Sequence, residues 1–132
     1  MAIFLEGERM ETVRNISFYC LLVLCLLGCG KKADENKPLS EVQAEADKMN
    51  VAQLKEMAMK YKEAILAKQG EVAKFTGKLK DIPITEMLGS EAKELKAEIE
   101  NLNKSISALK ERFQVYYGKL KEKGGDLSGL EI

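Results

Sequence analysis

The sequence contains no histidine and no tryptophan, and only two prolines interrupt its 132 residues. Without histidine the chain lacks the commonest general base and the commonest metal ligand. Cysteine is confined as well: Cys20, Cys25 and Cys29 all fall in the first quarter, so nothing beyond Cys29 can form a disulfide of its own. Neither charge is in excess, because Lys plus Arg and Asp plus Glu both number 21. That balance argues against a nucleic-acid partner, which needs a basic surplus to neutralise phosphates. No phosphate-binding loop, nucleophile elbow or metal-ligand spacing occurs. The expectation is therefore a non-enzyme with no cofactor, no metal and no small-molecule substrate.

What is present is charge and aliphatic surface. Charged residues make up 32% of the chain and aromatics only 6%. A composition rich in Lys, Glu, Ala and Leu belongs to long helices rather than sheets. The length suits one small domain.

Residues 16 to 27 form an uncharged, mostly apolar run with Arg14 just before it. A spanning helix needs about 20 apolar residues, so this run is too short to cross a bilayer but suits the apolar core of a signal peptide. It ends in Leu26-Leu27-Gly28-Cys29. This resembles the lipobox of bacterial lipoproteins. The resemblance covers residues 10 to 30 and implies recognition by the signal peptidase through Leu26 and Gly28, with Leu27 departing from the usual small residue. It further implies cleavage before Cys29, with a diacylglycerol on the Cys29 thiol and an acyl group on the new amine. Several acyl chains anchor a protein stably where one does not. The alternative is an uncleaved signal anchor with Cys29 as an ordinary residue. Glu6, Glu8 and Glu11 make the extreme start acidic, so Met10 is the better beginning for a leader. Cys20 and Cys25 read as apolar filler within it.

The expected organisation is a signal peptide over 1–28, a flexible polar tether over 29–38, a helical domain over 39–123 and a tail over 124–132. Ser40 with Gln43 fits a capping box for a short helix carrying Leu39, Val42, Ala46 and Met49 on one face. Asn50 with Gln53 fits a second box, and the apolar phase shifts there, so the chain should kink or restart. From Val51 a heptad pattern runs for 32 residues. Its a positions are Val51, Ala58, Ile65, Val72 and Leu79, and its d positions are Leu54, Tyr61, Lys68, Phe75 and Ile82. Gly70 and Gly77 both fall on the outward f position. Asp81-Ile82-Pro83 ends the helix, since proline disfavours helical geometry in the residue before it.

Thr85 or Ser90 can cap the next helix, whose a positions are Ala92, Ile99, Ile106, Phe113 and Leu120. Its d positions, Leu88, Leu95, Leu102, Leu109 and Tyr116, are equally apolar. Gly124-Gly125 ends it. Two helices of similar length joined by a short turn must run antiparallel. The expected fold is all-α: an antiparallel helical hairpin with coiled-coil heptads, each arm about 50 Å long, and a short third helix at its start.

Among candidate sites, Lys68 is the one charged residue on the first seam, readable as a partner-selecting group or as a stem with a solvated head. Tyr61, Phe113, Tyr116 and Tyr117 should gather near the open end, with Tyr117 one residue off the seam and available to a partner. The run Glu91, Glu94, Glu98 and Glu100 alternates with lysines and reads as a solvated face. The chain is thus expected to be an envelope protein, held on the membrane by lipid, acting as a helical spacer or protein-binding adaptor for an envelope partner or for itself. The alternative is a chaperone-like holder, or an assembly subunit, that completes a bundle with a partner segment. Gly30 after the cysteine, in place of the Asp that retains such proteins at the inner membrane, favours the outer membrane facing the periplasm by analogy with that family.

Overall fold

The computed structural model describes residues 31 to 132, and these are helical with no strand among them. Helix α1 spans Leu39–Lys48, α2 spans Val51–Asp81 and α3 spans Ser90–Glu122, with one 3-10 turn at Ile84–Glu86. The all-α hairpin expected from the heptads is present, and α1 is a third helix folded back against α3.

Local chemistry explains most of the boundaries. Asn50 accepts from the Gln53 amide at 2.9 Å while the Gln53 side chain accepts from the Asn50 amide at 3.1 Å, so the capping box restarts the chain as α2. The box expected at Ser40 does not form. The helix begins two residues earlier, with Pro38 as its N-cap and Leu39 its first residue, and the Pro38 carbonyl takes the amides of Glu41 and Val42, both at 3.1 Å. Ser40 then lies inside the first turn, where its hydroxyl has lost the capping position. Neither Thr85 nor Ser90 caps α3 either. Gly89 holds the N-cap in extended geometry after a tight turn in which its amide donates to the Glu86 carbonyl at 2.8 Å. The far end of α3 closes as a Schellman motif: Gly124 takes φ +70°, Gly125 donates to Leu120 at 2.9 Å and Gly124 to Lys121 at 3.1 Å.

The core lies at the open end of the hairpin. Leu54, Ala58, Tyr61 and Ile65 from α2 meet Ile106, Leu109, Phe113, Tyr116 and Leu120 from α3, all buried. Each flank of this seam is covered. On one side α1 packs Val42 and Ala46 inward, held by Lys119 to Asp47 at 2.8 Å and by Lys123 donating to the Met49 carbonyl at 2.6 Å. On the other side the tail returns to bury Leu130, fixed by Lys55 to Asp126 at 2.7 Å and by Lys62 donating to the Gly129 carbonyl at 2.6 Å. Arg112 and Lys119 occupy g positions, and Lys55 and Lys62 occupy e positions, so the heptad itself assigns one flank to α1 and the other to the tail. In an antiparallel pair the e flanks of both helices share a side, as do the g flanks.

Toward the turn no such cover exists among the described residues. Ala92 is buried there, but Val72, Phe75, Leu79, Ile82, Leu95 and Ile99 keep the seam and are only half-buried. Leu88 was expected in the seam and is instead 83% exposed. It precedes the first residue of α3, so its side chain is presented by the turn and not by the helix. Val51, the first residue of α2, is also exposed at 39%; the hairpin ends there.

Gly70 and Gly77 do face outward, and a methyl group placed on either meets no atom within 4 Å. Replacing each by alanine should raise stability by about 1 kcal/mol, because glycine loses more backbone freedom in a helix. Urea unfolding of the two single variants and the double variant measures this. A loss of stability would mean that the outer face of α2 is covered.

Candidate functional site

The lipid-attachment residue Cys29 and the recognition residues Leu26 and Gly28 lie outside the described residues. The site that can be built is where the chain following them meets the bundle. This stretch was expected to be free as far as residue 38, but from Ala33 onward it lies against the bundle. Ala33 packs on the core cluster. The Asp34 amide donates to the Tyr61 hydroxyl at 3.1 Å, and that hydroxyl lies 3.2 Å from the Asp34 carbonyl, which can accept its proton. Glu35 sits 3.4 Å from the Lys68 ammonium. Lys37 pairs with Glu45 of α1, and its carbonyl accepts from Arg112 Nε at 2.9 Å.

Lys68 therefore has a partner within its own chain. Its side chain is about one-third exposed and its ammonium meets Glu35. Tyr117 has a different setting. It is half-buried, its ring 5.7 Å from that of Phe113 and tilted by 31°. With Lys110, Gln114, Leu130, Glu131 and Ile132 it lines an open groove of 340 Å³ between α3 and the tail. The expected gathering of Tyr61, Phe113, Tyr116 and Tyr117 is seen as two ring pairs, the second being Tyr61 stacked on Tyr116 at 5.4 Å. Lys68 and Tyr117 are not brought together: one faces the returning strap, the other the tail.

Arg112 was missed. It is the one buried charged residue among those described, donating through Nη1 to the Ala108 carbonyl at 2.7 Å as well as to Lys37. Its only sequence signal was an arginine at a g position beside Phe113, where a solvated charge is the ordinary reading. In the tail, Leu130 packs back on the bundle.

The electrostatics here serve structure. Lys55 holds the Asp126 carboxyl well below the usual carboxylate range, helped by the Ser128 hydroxyl and amide. Lys104 lowers the Glu100 carboxyl across one helical turn. No group of three or more metal-binding side chains occurs among the described residues, and no helix among them is long and apolar enough to cross a membrane.

The hairpin's other notable surface is its turn. Ile84 is 92% exposed, and together with Leu88 it puts two large aliphatic side chains in water at the tip. No protein family, no curated protein and no solved structure matches this chain.

Proposed function

We propose that this chain is a lipid-anchored protein of the cell envelope, cut before Cys29, whose helical hairpin is a non-catalytic spacer or protein-binding adaptor. The anchoring rests on the apolar run that ends in Leu26-Leu27-Gly28-Cys29. The adaptor role rests on one contrast: the open end of the hairpin is covered on both flanks, while the half toward the turn carries its seam half-buried and its aliphatic tip exposed. A surface of that kind is commonly an interaction site. By analogy with bacterial lipoproteins, Gly30 favours the outer membrane, facing the periplasm.

The same half-buried seam favours a second reading, in which a partner helix completes a bundle around Phe75, Leu79, Leu95 and Ile99, as an assembly subunit or holder would use it. The two readings differ in what is touched. A spacer engages its partner through the tip, and a holder through the seam.

The test labels cells with a fatty acid and places photo-crosslinkers singly at Leu88 and at Leu79. Cys29→Ser should abolish fatty-acid incorporation and release the protein from the membrane fraction. Crosslinks at Leu88 alone support the adaptor, and crosslinks at Leu79 alone support bundle completion. Retained label in the Cys29→Ser protein refutes the anchor.

A further inference from the structure

We infer that residues 33–37 form a latch that sets the length of the tether between the lipid and the bundle. The inference deepens the anchored reading above, since it takes Cys29 as the fixed end. It begins from an oddity of the α2 seam. Of its ten a and d residues only Tyr61 and Lys68 carry polar heads, and both heads are committed to the incoming chain: Tyr61 to Asp34, and Lys68 to Glu35. Arg112, the buried charge of α3, is likewise turned to the Lys37 carbonyl. A seam built only for the hairpin would gain nothing from a hydroxyl and an ammonium there. Both helices thus carry receptors for one short strap.

The contacts are of a kind that can open without unfolding the bundle. The strap is irregular backbone, and α1 begins only at Leu39. Its pins are side-chain hydrogen bonds and a part-exposed ion pair, which are individually modest. A covalent chain reaches at most about 3.5 Å per residue. With the latch closed, Asp34 is held on Tyr61, five positions along the chain from Cys29, a reach of about 17 Å. With the latch open, ten residues separate Cys29 from Leu39, a reach of about 35 Å. The protein then has two standoff distances from the bilayer. A partner or envelope layer that needs the longer one must pull the strap off Tyr61, Lys68 and Arg112.

The test uses the mature lipidated protein in phosphatidylcholine vesicles, with amide exchange at Asp34 read by NMR in nanodiscs of the same lipid. A dye on an introduced Asn101→Cys, paired with a headgroup acceptor, reads the standoff. The wild type should show a protected Asp34 amide. Tyr61→Phe combined with Lys68→Met should speed that exchange about tenfold, as expected when roughly 1.4 kcal/mol of local stability is lost, and should lengthen the dye-to-bilayer distance. Amides of Ile65 and Ile106 should stay protected, which separates latch opening from unfolding. Tyr116→Phe, which removes the same atom from the stacked ring, should leave Asp34 protected. An Asp34 amide that exchanges freely in the wild type, or a double variant with unchanged exchange and distance, overturns the latch. Vesicle flotation reads the anchor separately. A protein that fails to float yet protects Asp34 loses its anchor and keeps its latch.

Discussion

Ile65→Ala should destabilise the protein by about 3–4 kcal/mol, whereas Leu79→Ala, on the same seam two heptads on, should cost only about 1 kcal/mol. Ile65 has no exposed surface and belongs to the cluster closed by α1 and the tail. Removing its outer carbons leaves a cavity that covered helices cannot collapse into, and such truncations cost about 2–5 kcal/mol. Leu79 is half-buried and lies outside the covered cluster, so truncation loses part of a contact and leaves no closed cavity. A domain of this size has about 5–15 kcal/mol in all, so the first variant removes a large share of it. Chemical denaturation at two protein concentrations makes the comparison. If the two variants cost the same, and the cost at Leu79 depends on concentration, the half toward the turn is covered in solution by a second copy. The same asymmetry predicts that amides near the turn exchange by local opening while those around Tyr61 and Phe113 exchange only with global unfolding.

How far this arrangement could be read from the residues depends on whether a signal was local. The Asn50 box, the stop at Pro83 and the double-glycine stop at Gly124 act within a few residues, and each appears where the sequence put it. The seam is periodic, so its membership was legible from Ala58 to Leu120, and the exceptions fall at helix ends, where period gives no control. Ser40 shows the opposite case. Its cap competed with a start two residues earlier, capped by Pro38, and pattern alone does not rank two starts so close together.

What stayed hidden was contact between distant segments. Nothing local in Arg112 says that its guanidinium will be buried under Lys37, 75 positions away in the chain. Nothing in Asp34-Glu35 distinguishes a solvated tether from a strap, because polar composition is the same for both. The readable clue was Lys68: a charged residue on an otherwise apolar seam needs a partner, and the partner proved to be this chain's own Glu35. The flanks carried a similar clue. Lysines at e and an arginine and a lysine at g beside the buried end mark where α1 and the tail attach, but only once the hairpin is folded do those positions become two sides. Fold was therefore legible from period, and attachment from exceptions to it.

Tyr116→Phe should make the protein more stable by about 1 kcal/mol, while Tyr61→Phe makes it less stable by a similar amount. The two rings stack on each other, so shape and apolar burial change little in either variant. Their hydroxyls differ. That of Tyr61 exchanges hydrogen bonds with the Asp34 backbone, whereas that of Tyr116 is buried with no hydrogen-bond partner among the described residues. A buried hydroxyl without a partner costs its desolvation, and phenylalanine removes that cost without opening a cavity. Burial also pushes the Tyr116 phenol above its ordinary value of 10.0, with smaller contributions from Tyr61 and the nearby Glu45. The sign of the pH effect follows. The folded state keeps this phenol neutral while the unfolded chain ionises it near pH 10, so the titration of Tyr116 leaves stability unchanged below pH 10 and lowers it as pH rises further. In that range the wild type should lose about 1.4 kcal/mol more per pH unit than the Tyr116→Phe protein, a difference that urea unfolding at pH 9 and pH 11 would measure at about this size. Equal slopes in the two proteins would mean that the Tyr116 hydroxyl reaches solvent or a partner in the folded state.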